Sequence, residues 1–72
     1  MSNRDKFVKL AERRVNKAIK MIDLIGNLSN RSNYSYTEED VKKIMKVLNG
    51  AVKEVESRFE SSASNKRDTF RL

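Results

Sequence analysis

Val8-Lys9-Leu10-Ala11-Glu12-Arg13-Arg14-Val15-Asn16-Lys17-Ala18-Ile19-Lys20-Met21-Ile22-Asp23-Leu24-Ile25 is the stretch on which the fold turns. Val8, Ala11, Val15, Ala18, Ile22 and Ile25 recur at separations of 3, 4, 3, 4 and 3 residues. A helix brings i, i+3, i+4 and i+7 onto one face, so this spacing predicts a helix with an apolar seam. Ala11 and Ala18 keep the seam narrow enough for a second helix to approach closely. Working outward, the helix is expected over about residues 3–28. Gly26-Asn27 supplies a stop signal, because glycine accepts the left-handed conformation of many helix ends.

Beyond it, Ser29-Asn30-Arg31-Ser32-Asn33-Tyr34-Ser35-Tyr36 reads as a polar loop over 29–36. Thr37 then offers an N-cap, followed by Glu38, Glu39 and Asp40, whose charges suit the positive end of a helix dipole. Thr37 and Asp40 stand at the spacing of a shortened capping box. Tyr36 and Val41 stand at that of a hydrophobic staple. Val41, Ile44, Leu48, Ala51, Val52, Val55 and Phe59 make a broad apolar face, predicting a second helix over about 37–60. Glu38–Lys42, Glu39–Lys43 and Glu54–Arg58 are i,i+4 pairs in the favoured orientation. Gly50 falls opposite the apolar face and costs about 1 kcal/mol relative to alanine. Residues 61–72, Ser-Ser-Ala-Ser-Asn followed by Lys66, Arg67, Asp68, Thr69, Phe70, Arg71 and Leu72, read as a flexible basic tail.

The fold class is therefore all-α: an antiparallel two-helix hairpin over residues 1–60, expected to dimerise into a four-helix bundle. Dimerisation is expected for two reasons. A chain of 72 residues rarely draws more than about 3–5 kcal/mol from one core. The first helix also carries Phe7, Leu10, Met21, Leu24 and Leu28 beside its seam, more apolar surface than one partner helix covers. The competing remedy is a third short helix from the tail, with Phe70 and Leu72 packed back.

Composition removes most enzyme classes. The chain has no His, Cys, Pro or Trp, so no histidine base, thiol nucleophile, disulfide or Cys/His zinc site is available. Its only glycines are Gly26 and Gly50, too few for a phosphate-cradling loop. Glu38-Glu39-Asp40 lacks the alternating oxygen ligands of a calcium loop, and capping accounts for it. No pocket or nucleophile accompanies Asp23 and Asp40 in the pattern. The expectation is a protein without catalytic residues, cofactor or metal. No secretory leader opens the chain and no apolar run approaches a membrane span, which sets the expectation of a cytoplasmic protein.

The net charge of +6 raises the expectation of an anionic partner. The excess is concentrated: residues 3–28 carry seven basic and three acidic groups, whereas 38–60 carry five basic and six acidic. Lys6, Lys9, Arg13, Lys17 and Lys20 are spaced 3, 4, 4 and 3 apart. At 100° per residue they fall within roughly 80° of arc, nearly opposite the seam, and extend about 21 Å along the axis. Several successive phosphates of a nucleic acid match that length. Arg14 and Arg4 are candidates to widen the patch, while Leu24 ends it. In the loop, Arg31 and Tyr34 have the chemistry to stack on and hydrogen-bond to unpaired bases. The competing readings are ordinary. Lysine and arginine are good helix formers that keep a surface solvated. Tyr34 and Tyr36 can equally cover the bundle end and staple the second helix.

Three stretches together carry a resemblance: Arg14-Val15-Asn16-Lys17-Ala18-Ile19, Leu28-Ser29-Asn30-Arg31-Ser32-Asn33-Tyr34 and Tyr36-Thr37-Glu38-Glu39-Asp40-Val41. Over roughly residues 13–59 the chain resembles a small family of bacterial or mobile-element helical-hairpin proteins. The resemblance implies neither an activity nor site residues. In architecture alone, a basic hairpin that dimerises is similar to the plasmid RNA-binding bundles of the Rop type, and fold does not fix function. The functional expectation is a small nucleic-acid-binding protein, for RNA or DNA, using Lys6, Lys9, Arg13, Lys17, Lys20, Arg31 and Tyr34. The alternative is a protein-binding module, an inhibitor or accessory subunit, that docks through an apolar helical face or the tail.

Overall fold

The computed structural model describes the backbone of residues 2–71 and the side chains of residues 2–63. It is all-helical, with no strand among the described residues. Helix α1 spans Asn3–Gly26, a single 3₁₀ turn follows at Asn27–Ser29, and helix α2 spans Glu38–Arg71. The chain divides into two units between Ser35 and Tyr36, one holding α1 with the loop and the other holding α2.

In the first unit, Ser2 caps α1: its backbone is extended and its Oγ accepts a hydrogen bond from the Asp5 N–H at 3.0 Å. Asp5 also places its carboxylate in the first turn, the end favoured by the dipole. The expected stop at Gly26 is correct in position and wrong in mechanism. Gly26 has φ −59° and ψ −31°, ordinary right-handed values, and no described residue has positive φ. The chain instead tightens into the 3₁₀ turn. The Asn27 N–H reaches the Leu24 carbonyl as well as that of Asp23, and the Asn30 N–H reaches the Asn27 carbonyl at 3.4 Å. Shorter-range bonds of this kind satisfy terminal carbonyls without a left-handed residue.

Asn30 then organises the loop. Its side-chain Oδ1 accepts from the Ser32 N–H at 2.9 Å, the hydrogen bond of an Asx turn. Its carbonyl accepts from the Asn33 and Tyr34 N–H groups at 3.1 and 3.0 Å.

In the second unit, the expected cap is present and reciprocal. The Asp40 N–H donates to Thr37 Oγ1 at 3.1 Å, and the Thr37 N–H donates to Asp40 Oδ2 at 2.9 Å. Tyr36, just before the cap, is half-buried. The Glu54–Arg58 pair forms at 3.6 Å between exposed side chains. The helix α2 runs on to Arg71, past the end near residue 60 expected from the sequence. The physical reason lies in what the segment lacks. Ser61-Ser62-Ala63-Ser64-Asn65 contains neither proline nor glycine, and serine is only mildly unfavourable within a helix. The alternative in which Phe70 and Leu72 pack back concerns side chains outside the described residues.

No described residue is buried. Ile22 is 47% exposed on α1 and Val55 is 52% exposed on α2, although both lie on apolar faces. Those faces are real in the sequence pattern and open in the structure. No helix is long and apolar enough to cross a membrane among the described residues.

Candidate nucleic-acid interface

The site is built on α1 because helical geometry converts the 3, 4, 4, 3 spacing into a line. Lys6, Lys9, Arg13, Lys17 and Lys20 are all within Asn3–Gly26, and all are exposed. The helix is unbroken from Lys6 to Lys20, so the line keeps its length of about 21 Å. None of the three acidic groups of α1 lies within that arc. Asp5, Glu12 and Asp23 fall together at its edge, between the basic stripe and the apolar seam, at roughly 100° per residue. The stripe therefore presents a single sign of charge with a carboxylate border on one side.

Arg4 does not extend the stripe. Its guanidinium lies over the Phe7 ring at 5.9 Å from the centroid, toward the apolar side of α1. Arg4 also lines a shallow, open groove with Asp5, Val8, Lys9 and Glu12. Two cations and two carboxylates balance there, so the groove offers an anion no net attraction.

Arg31 and Tyr34 both lie in the turn that Asn30 organises, and both are exposed, Tyr34 at 49%. They follow the C-terminal end of α1, whereas the stripe stops at Lys20 with Leu24 next in its arc. The structure thus brings the five helical cations into one line and the two loop residues into one turn. The loop pair forms a separate group along the chain. On α2, whose first turn is acidic, Lys42, Lys46 and Lys53 share one arc at roughly 100° per residue, three exposed cations among the described side chains against the five of α1.

Two positioning residues were not singled out in the sequence. Ser2 was legible, since Ser2 precedes Asp5 by the three residues of a capping pattern. Asn30 is one of two asparagines in the loop, and nothing in the spacing marks it over Asn33. Among the described residues, no group of three or more metal-ligating side chains comes together. No protein-family model matches the chain, and neither a curated protein nor a solved structure matches it.

Proposed function

We propose that this chain is a small non-enzymatic protein that binds nucleic acid, RNA or DNA, through the outer face of α1. One observation carries the reading: five exposed cations lie in register on an unbroken helix with no carboxylate among them. Phosphates spaced along a backbone are the anion that such a line matches, so binding depends little on sequence. Arg31 and Tyr34 add a second contact at the loop, suited to unpaired bases. In this reading α1 and α2 form an antiparallel hairpin, and two copies pair into a four-helix bundle. The bundle covers the apolar faces and leaves the stripes outward.

Charge reversal tests the assignment. Arg13→Glu with Lys17→Glu should nearly abolish binding to DNA and RNA while leaving helix content intact. Lys43→Glu with Lys46→Glu makes the same change in net charge on α2 and should matter much less. Equal losses from the two pairs would show that net charge alone matters. Absence of binding at low salt would transfer the function to the exposed apolar surface, with a protein as partner.

A further inference from the structure

We infer that the loop after α1 reads unpaired adenine bases through the side-chain amides of Asn27 and Asn33, which makes the substrate class a nucleic acid carrying unpaired adenines. The inference rests on the nucleic-acid reading above and deepens it. Residues 27–35 are three consecutive triplets of one form: Asn27-Leu28-Ser29, Asn30-Arg31-Ser32 and Asn33-Tyr34-Ser35. The backbone repeats with the same period. The Asn30 N–H donates to the Asn27 carbonyl at 3.4 Å, and the Asn33 N–H donates to the Asn30 carbonyl at 3.1 Å. Each turn begins and ends on an asparagine, and every residue from 27 to 35 is exposed.

The three amides have different work. Asn30 is a positioning residue: its Oδ1 accepts from the Ser32 N–H at 2.9 Å and holds the middle triplet in its turn. Asn27 and Asn33 enter the turns through backbone N–H and carbonyl groups, which any residue but proline supplies. Closing the turns therefore does not call for asparagine at those two positions.

Asn27 also ties the loop to the stripe. Lys6, Arg13, Lys20 and Asn27 are each seven residues apart. Gly26 and Asn27 keep right-handed helical dihedrals, φ −59° with ψ −31° and φ −65° with ψ −20°. The heptad spacing thus carries onto Asn27, on the stripe's face and about 10 Å beyond Lys20 along the axis. Stripe and triplets belong to the same unit of the chain. A strand whose phosphates follow the five cations meets the first amide at the end of their line.

A primary amide sets a donor beside an acceptor, the complement of adenine N6 and N7. Unpaired bases offer that edge to a loop and a face to an aromatic ring. Tyr34, next to Asn33 and 49% exposed, supplies the ring.

Fluorescence anisotropy of the full-length protein tests the assignment, with labelled single strands of about 20 adenine, cytosine or uracil ribonucleotides as probes. The adenine strand should bind about tenfold more tightly than either pyrimidine strand. Asn27→Ala with Asn33→Ala should bring the three affinities within about twofold of one another, with helix content by circular dichroism unchanged. Asn27→Ala alone, a change that favours helix, should remove about threefold of the preference. Asn30→Asp keeps the acceptor for the Ser32 N–H, so it should retain the adenine preference while its charge lowers all three affinities. Loss of the preference in that variant would overturn the division of roles among the amides. Equal affinities in the parental protein, or a preference for a pyrimidine strand, would overturn the base reading and leave the stripe standing. So would an adenine preference that survives the double substitution, since it would then belong to stacking on Tyr34. No binding to any strand at low salt would overturn the nucleic-acid reading itself, and this inference with it.

Discussion

Thr37 and Asp40 show what a single pair of side chains does for a helix this exposed. Each accepts a hydrogen bond from the other's backbone N–H, at 3.1 and 2.9 Å, so two of the orphan donors at the start of α2 are satisfied locally. Thr37→Ala removes one acceptor and should cost about 1 kcal/mol in denaturant or thermal unfolding. An unchanged midpoint would show that α2 does not begin there. Gly50 is the opposite case. It sits inside α2, and a Cβ added to it would meet nothing within 4 Å. Gly50→Ala should therefore stabilise by about 1 kcal/mol, measured by the same unfolding. A loss instead would mean that another backbone approaches that position. Nothing in the structure explains why glycine stands there. At this scale the sequence was readable where a rule depends on neighbours a few residues apart, as in the cap and the Glu54–Arg58 pair. It was misleading at Gly26, where the left-handed option that glycine offers goes unused because the 3₁₀ turn satisfies the carbonyls first.

The elements follow from periodicity, and their ends follow from punctuation. The start of α1 was clear from the first seam residues, and its stop was clear to within a turn. The end of α2 was not, because a serine-rich, charged segment near a chain end reads as a flexible tail. Serine lowers helix propensity without forbidding the conformation, whereas proline removes a donor and clashes with the preceding turn. Continuity through Ser61 and Ser62 is testable on that distinction. Ser62→Pro should remove on the order of ten residues of helical ellipticity from the full-length chain. Unchanged ellipticity would mean that α2 ends before that point. The candidate stripe belongs to this scale as well. Its five positions were legible from spacing alone, since an unbroken helix turns spacing into direction. The separation of Arg4 from the stripe was not, because it depends on where a flexible guanidinium settles, here over Phe7.

At the scale of the whole molecule, the governing quantity is apolar surface left in water. Ile22, Leu24, Val52 and Phe59 are between 47% and 65% exposed, and no described residue is buried. Covering such faces is worth about 25 cal/mol per Å² of apolar area, the main force available for assembly. The proposed bundle therefore predicts a dimer at micromolar concentration, and light scattering that gave a mass near 8.4 kDa across that range would contradict it. Ala18→Glu should weaken the assembly by placing a charge in the seam. In the proposed assembly the basic stripe stays outside, which joins the proposed architecture to the proposed function. The central claim is that Lys6, Lys9, Arg13, Lys17 and Lys20 contact phosphates. Its most direct measurement is the affinity for a DNA or RNA duplex as a function of salt. With about four cations engaged per site, log affinity should fall against log salt with a slope of about −3.6, and Arg13→Glu with Lys17→Glu should flatten it. A slope near zero, or one that the reversal leaves unchanged, would contradict the claim.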